Sequence, residues 1–306
     1  MSKVRLSVII PVYNVAGTLD RCLESIVGCQ LQDMEILLVD DGSTDGSGRM
    51  CDEWQRRDPR ISAVHKANGG LSDARNCGID QSRGDYITFA DSDDYLEAGT
   101  LEALVSTLDS HPDYDILEYP ARLHEGALAA ESLLTFADEV FTDAGDYWLK
   151  TKAYTHTYAW NKMYRRSLFG TVRFPVGCVF EDAYTLPPLL REARKVATCS
   201  TGLYHYMENQ HGITATADGR ALSMLLDAHL HSGMPLSDDY QLHLVNIQLD
   251  VCNATSAPPL LPRRPIGIRS LHGKNKIKAI AYNILGIETL CRISKLLHLI
   301  RRPSRS

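Results

Sequence analysis

The strongest constraint on this chain is an alternation. Short continuous runs of Val, Ile and Leu each end in turn residues, and stretches with helical spacing lie between them. "RLSVIIPVYN" opens with such a run and closes on Pro11. "TLDRCLESI" follows, with apolar residues at Leu19, Leu23, Ile26 and Val27, the spacing of one helix face. "MEILLVDDGSTDGS" is a second strand, and "GSGRMCDEWQRRD" a helix stopped by Pro59. "ISAVHK" is a third strand, and Leu71 to Ser82 a third helix. "DYITFADSDD", "TLEALVSTLDS" and "YDILEYP" complete the series as strand, helix and strand. This order predicts an α/β fold: a mostly parallel, Rossmann-like central sheet with helices on both faces. The strand runs are continuous rather than alternating, as strands covered on both faces require.

Such sheets bind ligands outside the carboxyl ends of their strands. The polar clusters fall there: "PVYN", "DDGSTDGS", "KANGG" and "DSDD". Any one of them reads as a turn. Four converging on one rim predict a binding site. The cluster after the fourth strand is the most demanding, because Asp91, Asp93 and Asp94 repel one another around Ser92. A helix cap near Leu96 uses one acid, not three. Carboxylates two apart on a turn suit a hard divalent ion, and magnesium or manganese held so openly is shared with substrate phosphates. That points to a nucleoside diphosphate or a similar ligand.

The usual phosphate loops are missing. There is no GxxxxGK[ST], and no GxGxxG follows the first strand. In "PVYN", Tyr13 is placed to stack on a base or to pack as a half-buried tyrosine. An aspartate closing the second strand is placed to accept from a base N–H or a ribose hydroxyl.

"SVIIPVYNVAGTLDRCLESI", "EILLVDDGSTDGS", "NGGLSDARNCGI" and "GDYITFADSDD" together resemble the family 2 glycosyltransferases, inverting enzymes of the GT-A fold. The resemblance runs continuously from about Leu6 to Leu117. "WNKMYRRSLF" and "FEDAYTL" extend it to the bacterial polysaccharide transferases of that family. It implies a nucleotide-sugar donor, most often a UDP-sugar, with Mn²⁺ or Mg²⁺ as cofactor. It places Pro11, Tyr13 and Asn14 around the base and ribose, Asp40 on the base with Asp41 beside it, and Arg75 near the nucleotide. Asp91 and Asp93 match the DxD pair, with Asp93 the direct metal ligand, Asp91 nearer the ribose and Ser92 between them on the donor. Asp182 matches the general base, with Glu181 an orienting neighbour or the alternative base. Trp160 reads as a floor for a sugar ring or as core, and Lys162 as a phosphate contact or a solvated charge.

Two stretches depart from the pattern. Pro187 and Pro188 fall where the family carries an uninterrupted helix, so that helix either starts at the prolines or kinks there. In "YHYMENQHGITA", Met207 stands where a basic residue is expected, leaving His205 and His211 as alternative phosphate contacts.

The resulting division is a GT-A domain over 1–220, its donor half 1–118 and its acceptor half 119–220. A helix and linker follow over 221–262, then a tail over 263–306. From Ala121 to Lys150 the pattern supports only a helix near Tyr147. Charge separates the tail: from Arg263 onward eleven Lys or Arg face one acid, Glu288, a net of +10, against −16 for the rest of a chain whose total is −6. Within it Ile277, Ile280, Ala281, Ile284, Ile287, Leu290, Ile293, Leu297 and Ile300 lie on one side of a basic amphipathic helix. Lys278, Glu288, Arg292 and Lys295 interrupt it, and each costs about 2.5–3.5 kcal/mol near a bilayer centre. Lying on an anionic membrane surface is therefore expected over spanning one. Packing on its own domain, or on a second subunit in a homo-oligomer, is the alternative. A nucleic-acid partner is not expected, since the apolar stripe has no use there.

No run of about eighteen apolar residues occurs, and the apolar run of "MSKVRLSVII" is too short for a leader. The eight cysteines show no metal or disulfide spacing and read as reduced thiols. The expected site of action is the cytoplasm, at the inner face of the plasma membrane. The expected reaction is transfer of a sugar to a hydroxyl of a glycan or lipid-linked acceptor in surface-polysaccharide assembly. A sugar-phosphate nucleotidyltransferase and a non-catalytic nucleotide-sugar-binding module are the alternatives. A phosphohydrolase using Asp91 as nucleophile fits less well, since that chemistry usually wants its DxD after the first strand.

Overall fold

A computed structural model describes residues 3–124, 132–209, 212, 216–255, 257–269 and 271–301 of the protein. The first half follows the predicted alternation: β1 (Leu6–Val12), α1 (Leu19–Val27), β2 (Met34–Asp40), α2 (Ser47–Arg57), β3 (Ile61–His65), α3 (Leu71–Gln81) and β4 (Tyr86–Phe89). A two-residue β5 (Tyr95–Leu96), α4 (Thr100–Ser110) and β6 (Ile116–Glu118) come next. Then follow β7 (Ala121–His124), β8 (Ser132–Leu134), β9 (Glu139–Phe141), α5 (Ala144–Lys150) and β10 (Lys162–Arg165). The last elements are α6 (Glu181–Glu192), β11 (Val196–Thr198), β12 (Tyr204–Met207), α7 (Gly219–Leu230), α8 (Asp238–Ala254) and α9 (Gly273–Arg301).

The main sheet has the order β3-β2-β1-β4-β10-β6-β11-β9. Pairing is parallel except at β10 and at the edge strand β9, which run antiparallel to their neighbours. A second sheet, β5-β12-β7-β8, stands beside it. Side chains leave the central strands alternately up and down. Ile9, Leu37, Ile87 and Phe89 share one core with Ile79 of α3 and with residues of α6, α8 and α9. Val8, Ile10, Ile36 and Leu38 share the other with residues of α1, α2 and α4. The helix–sheet contact is closest at Gly78, where a Cβ would lie 2.4 Å from Ile9 Cγ2.

Pro11 lies inside β1, buried, rather than in the loop beyond it. The ladder explains why a proline is tolerated there. The Ile9 carbonyl accepts from Ala90 N, so residues 9 and 11 turn their polar groups toward β4, which ends at Phe89. The missing N–H of Pro11 has no partner to lose.

The second half departs from expectation in three places. Among its described residues, the region over 121–150 holds three strands besides the expected helix, of which β9 closes the sheet. α6 starts at Glu181 and runs through Pro187 and Pro188, forgoing the backbone bonds those two residues cannot donate. The segment after α8 is not a solvated linker, because Leu261, Ile266 and Leu271 are buried in the core. α8 itself had no counterpart in the sequence reading.

α9 is divided by Gly286, whose φ of 73° breaks the helical path. Ala279, Tyr282, Ile287 and Cys291 pack on the body of the protein. Ile277, Ile280, Ile284, Leu285, Ile293, Leu296 and Leu297 remain exposed. The single stripe expected from the sequence is thus split: Ile287 turns inward, Leu290 is partly buried against the core, and Ile277, Ile280, Ile284, Ile293 and Leu297 stay outside. The side chain of Ile300 lies outside the described residues. No helix among the described residues is long and apolar enough to cross a membrane.

Candidate active site

The loops after β1, β2 and β3 are tied into one rim by their own polar groups. Asn14, in a left-handed conformation with φ 53°, accepts at Oδ1 from Thr44 N at 2.8 Å, and its own N–H donates to Ser43 Oγ. Asp45 accepts from Ala16 N, Ser47 N and Ser47 Oγ. Asp40 is buried, with Oδ1 accepting from Ser43 N at 2.9 Å and Oδ2 paired to His65 Nδ1 at 2.8 Å. Burial opposes its ionisation, but the Ser43 and His65 bonds prevail and lower its pKa. Asp41 gives one oxygen to Lys66 Nζ and Gly69 N, and the other to Gly70 N at 2.7 Å. It therefore shapes the loop that leads into α3. Gly42 makes the turn possible: its φ is 75°, and a Cβ would lie 3.0 Å from Asn68 N. Tyr13 is half exposed on this rim.

The acids of "DSDD" separate by environment. Asp94 is buried, accepting from Tyr204 OH at 2.9 Å and from Met207 N at 2.7 Å. Burial and the charges of Asp91 and Asp93 raise its pKa well above the usual carboxylate range. Met207, where a basic side chain was expected, thus contributes its backbone. Asp91 accepts at Oδ1 from Arg75 Nη2 at 2.9 Å. Asp93 is partly buried and accepts from Asn209 Nδ2 at 3.1 Å, and its backbone carbonyl accepts from the Arg21 guanidinium. Burial first, and the charge of Asp91 second, raise the pKa of Asp93. Ser92 is buried, and its carbonyl accepts from Thr18 Oγ1.

Arg75 joins the two halves of the molecule. It lies on α3, is 1% exposed, and donates to three carboxylates. Nη2 reaches Asp91, while Nη1 reaches Glu181 Oε1 at 2.7 Å and Asp182 Oδ1 at 2.8 Å. Its Nε is buried with no partner among the described residues. Contact with these acids, rather than with open solvent, is the environment of the arginine that the sequence reading placed near the nucleotide.

Glu181 and Asp182 open α6, so their charges face the positive end of the helix dipole. The residue before them, Phe180, adopts φ 59°, a costly conformation for an aromatic side chain. The side chain of Asp182 keeps 16% exposure against 7% for Glu181, so Asp182 is the better placed to meet a substrate. Its second oxygen accepts from Ala159 N at 3.0 Å. Burial raises both pKa values, and Arg75 opposes the rise without cancelling it.

Three side chains from the sequence reading stand elsewhere. Lys162 does not meet a phosphate: it is wholly buried and paired with Glu118 at 2.8 Å. Trp160 is core, stacked on Tyr158 and Tyr204 at centroid distances of 4.5 and 4.4 Å. His205 is buried, stacked on Tyr95 and bonded to Glu97 and His124. His211 lies outside the described residues. The aromatic stack and the buried Glu118 escaped the sequence reading, because both depend on contacts between distant segments.

The acids fit one particular kind of ion site. Among the described residues no group of three or more His, Cys, Asp or Glu is arranged to enclose a metal. Asp91 and Asp93 lie two apart on this turn, each with one oxygen already bonded, Asp91 to Arg75 and Asp93 to Asn209. Such a pair suits an ion whose remaining ligands come from water and a diphosphate.

The model of glycosyl transferase family 2 matches residues 7–173. Glycosyltransferase GlyA of Streptococcus pneumoniae is 30% identical over 83% of this chain and 38% of its own length. The uncharacterized glycosyltransferase EpsJ of Bacillus subtilis is 32% identical over 68% of this chain and 62% of its own. The chain therefore spans less than two thirds of either relative. Among solved structures, S. aureus TarS 1–349 in complex with UDP-GlcNAc superposes with a TM-score of 0.67 at 17% identity. That superposition covers 98% of this chain and 93% of the other, a likeness of fold.

Proposed function

The chain belongs to glycosyl transferase family 2 and has the GT-A fold, and from that premise we propose that it moves a sugar from a UDP-sugar to a hydroxyl of a glycan or lipid-linked acceptor, with inversion, in surface-polysaccharide assembly. The observation that carries this reading is the Arg75 guanidinium. It gathers Asp91 from the donor half and Glu181 and Asp182 from the acceptor half on one rim. Donor and acceptor chemistry then meet at a single point.

Tyr13, Asn14 and Asp40 form the base and ribose end of the donor site, with Asp41 and Ser92 shaping its loops. The UDP-GlcNAc complex of TarS supports a UDP-sugar as donor. Asp93, with Asp91 beside it, would hold a Mn²⁺ or Mg²⁺ ion, which supplies Lewis-acid stabilisation of the departing diphosphate when bound. Asp182 removes the proton of the acceptor hydroxyl as that oxygen attacks the anomeric carbon from the face opposite the leaving group. A positioned base contributes about 10²–10⁴-fold. Arg75 and Ala159 N hold the carboxylate from its two sides, and Glu181 shares the same guanidinium.

The outer face of α9 rests on an anionic membrane surface. Its exposed Ile and Leu residues are accompanied by exposed Lys274, Lys276, Arg292 and Lys295. Each such cation contributes about 1 kcal/mol beside an anionic leaflet. With that face on the membrane, the enzyme works at the inner face of the plasma membrane, beside a lipid-linked acceptor.

The test is a panel of nucleotide sugars with Mn²⁺ or Mg²⁺, read as slow donor hydrolysis. Hydrolysis of a UDP-sugar, dependent on Asp182, is expected. Formation of a nucleotide sugar from a sugar phosphate and a nucleoside triphosphate, with no donor hydrolysis, would replace this reading with a nucleotidyltransferase. Binding of nucleotide sugars without turnover would make the chain a binding module.

A further inference from the structure

A polar path runs from the core of the protein to Asp182. Glu118, at the end of β6, is wholly buried. It accepts from Tyr147 OH at 2.6 Å, pairs with His156 Nδ1 at 2.9 Å and Lys162 Nζ at 2.8 Å, and receives Asn161 Nδ2 at 3.2 Å. Lys162, also wholly buried, donates from Nζ to the carbonyls of His156 at 3.0 Å and Tyr158 at 2.9 Å, and to Asn161 Oδ1 at 2.8 Å. The ammonium thus gathers the loop that leads into β10, residues 156–161, onto itself.

The Tyr158 carbonyl and the Ala159 N–H belong to the same peptide unit. That unit is trans and planar, so its C=O and N–H point in opposite directions. The carbonyl ends on Lys162, and the N–H ends on Asp182 Oδ2 at 3.0 Å. One rigid plane therefore has a buried cation on one side and the largely buried acid on the other. Arg75 holds the other oxygen of that acid. The charge of Lys162 also favours the ionised form of Asp182, against the larger effect of burial.

A buried ion pair is a poor device for stability alone. Apolar side chains of the same volume often serve as well or better. A site held within about 0.5 Å needs support behind it. We propose that Lys162, anchored by Glu118, is a positioning residue that acts through the 158–159 peptide to fix the orientation of Asp182 toward the acceptor hydroxyl. The proposal rests on the reading of Asp182 as the base.

The test removes both charges together, Lys162→Met with Glu118→Gln, so that no unpaired ion is left buried. The full chain is measured for thermal stability, UDP affinity, donor KM and kcat of transfer. Stability is expected to fall, because the His156 and Tyr158 carbonyls lose their buried donor, but UDP affinity and donor KM of the folded protein should stay near wild type, while kcat falls about 10²-fold, the cost of misplacing a reacting group by about an ångström. With Asp182→Asn already in place, the same pair of changes should cost nothing further, because both act through one carboxylate. Lys162→Gln with Glu118→Gln, which keeps an N–H donor one bond short of the ammonium's place, should recover part of the lost kcat. It also provides the measurement if the Met variant does not fold. Unchanged kcat, or an equal loss in the Asp182→Asn background, overturns the proposal and leaves Lys162 a packing residue. If Asp182→Asn alone keeps full transfer, the base reading itself fails, and the positioning role falls with it.

Discussion

Replacing Arg75 with Met should destabilise the protein in a way that grows with pH. The guanidinium is 1% exposed and bonds Asp91, Glu181 and Asp182 at 2.9, 2.7 and 2.8 Å. Met fills much of the same space and supplies no charge. Asp91 is 24% exposed and can turn to water, whereas Glu181 and Asp182 are held at the start of α6. Removing one partner of a buried ion pair costs about 3–5 kcal/mol. At about 2–4 °C per kcal/mol for a domain of comparable size, the melting temperature should drop by roughly 6–20 °C at neutral pH. Both acids already titrate above their ordinary ranges, because burial outweighs Arg75. Without Arg75 their folded pKa values rise further, while the unfolded values stay put. A carboxyl with a folded pKa above its unfolded one favours the fold while protonated, and that advantage is lost as pH rises. The gap between wild type and variant should therefore widen as pH rises past about 7, where Glu181 of the wild type ionises and that of the variant stays protonated, by up to about 1.4 kcal/mol per pH unit for each proton. Urea melts of both proteins at three pH values measure it. An equal gap at every pH would mean that Arg75 acts by packing and not by compensating charge.

Four further outcomes are expected. Asp182→Asn should lose about 10²–10⁴-fold in transfer while UDP and metal affinity survive, and Glu181→Gln should lose less; the reverse order in steady-state assays would move the base by one residue. The acidic limb of the kcat/KM profile should lie above the ordinary aspartate range, because burial raises the pKa of Asp182 and the base must be ionised to act; a limb in the ordinary range would remove Asp182 from that role. Asp93→Ala should abolish the gain in UDP affinity on adding Mn²⁺, and unchanged calorimetric titrations would refute the shared-ion site. Ile277→Asp with Ile284→Asp, on the exposed face of α9, should end salt-sensitive flotation with anionic vesicles at no cost in melting temperature; equal flotation would direct that face to another partner.

The alternation of strands and helices in the first half was legible because it is local. Each apolar run of β1, β2 and β4 must be covered on both faces, and each turn cluster must follow its own strand. The rim was legible for the same reason, since the carboxyl ends of parallel strands all face one way. Local pattern also gave the acids of "DSDD" as residues of interest, and the family resemblance added those of "FED".

What each acid does was decided by residues far away in sequence. Asp94 is withdrawn from the cluster by Tyr204 and Met207, Asp91 is held by Arg75, and Asp93 is met by Asn209. Arg75 reaches Glu181 and Asp182 only because α3 and α6 pack on the same face of the sheet. Lys162 reads as an exposed charge in a polar stretch, and only the loop folded around its ammonium makes it a buried one. In α9, sequence periodicity identified an apolar side, but a break at Gly286 decided which of those residues turn inward. Periodicity fixes which side chains can share a face. The packing of segments more than a hundred residues apart decides which charges meet, and through them what chemistry the rim can carry.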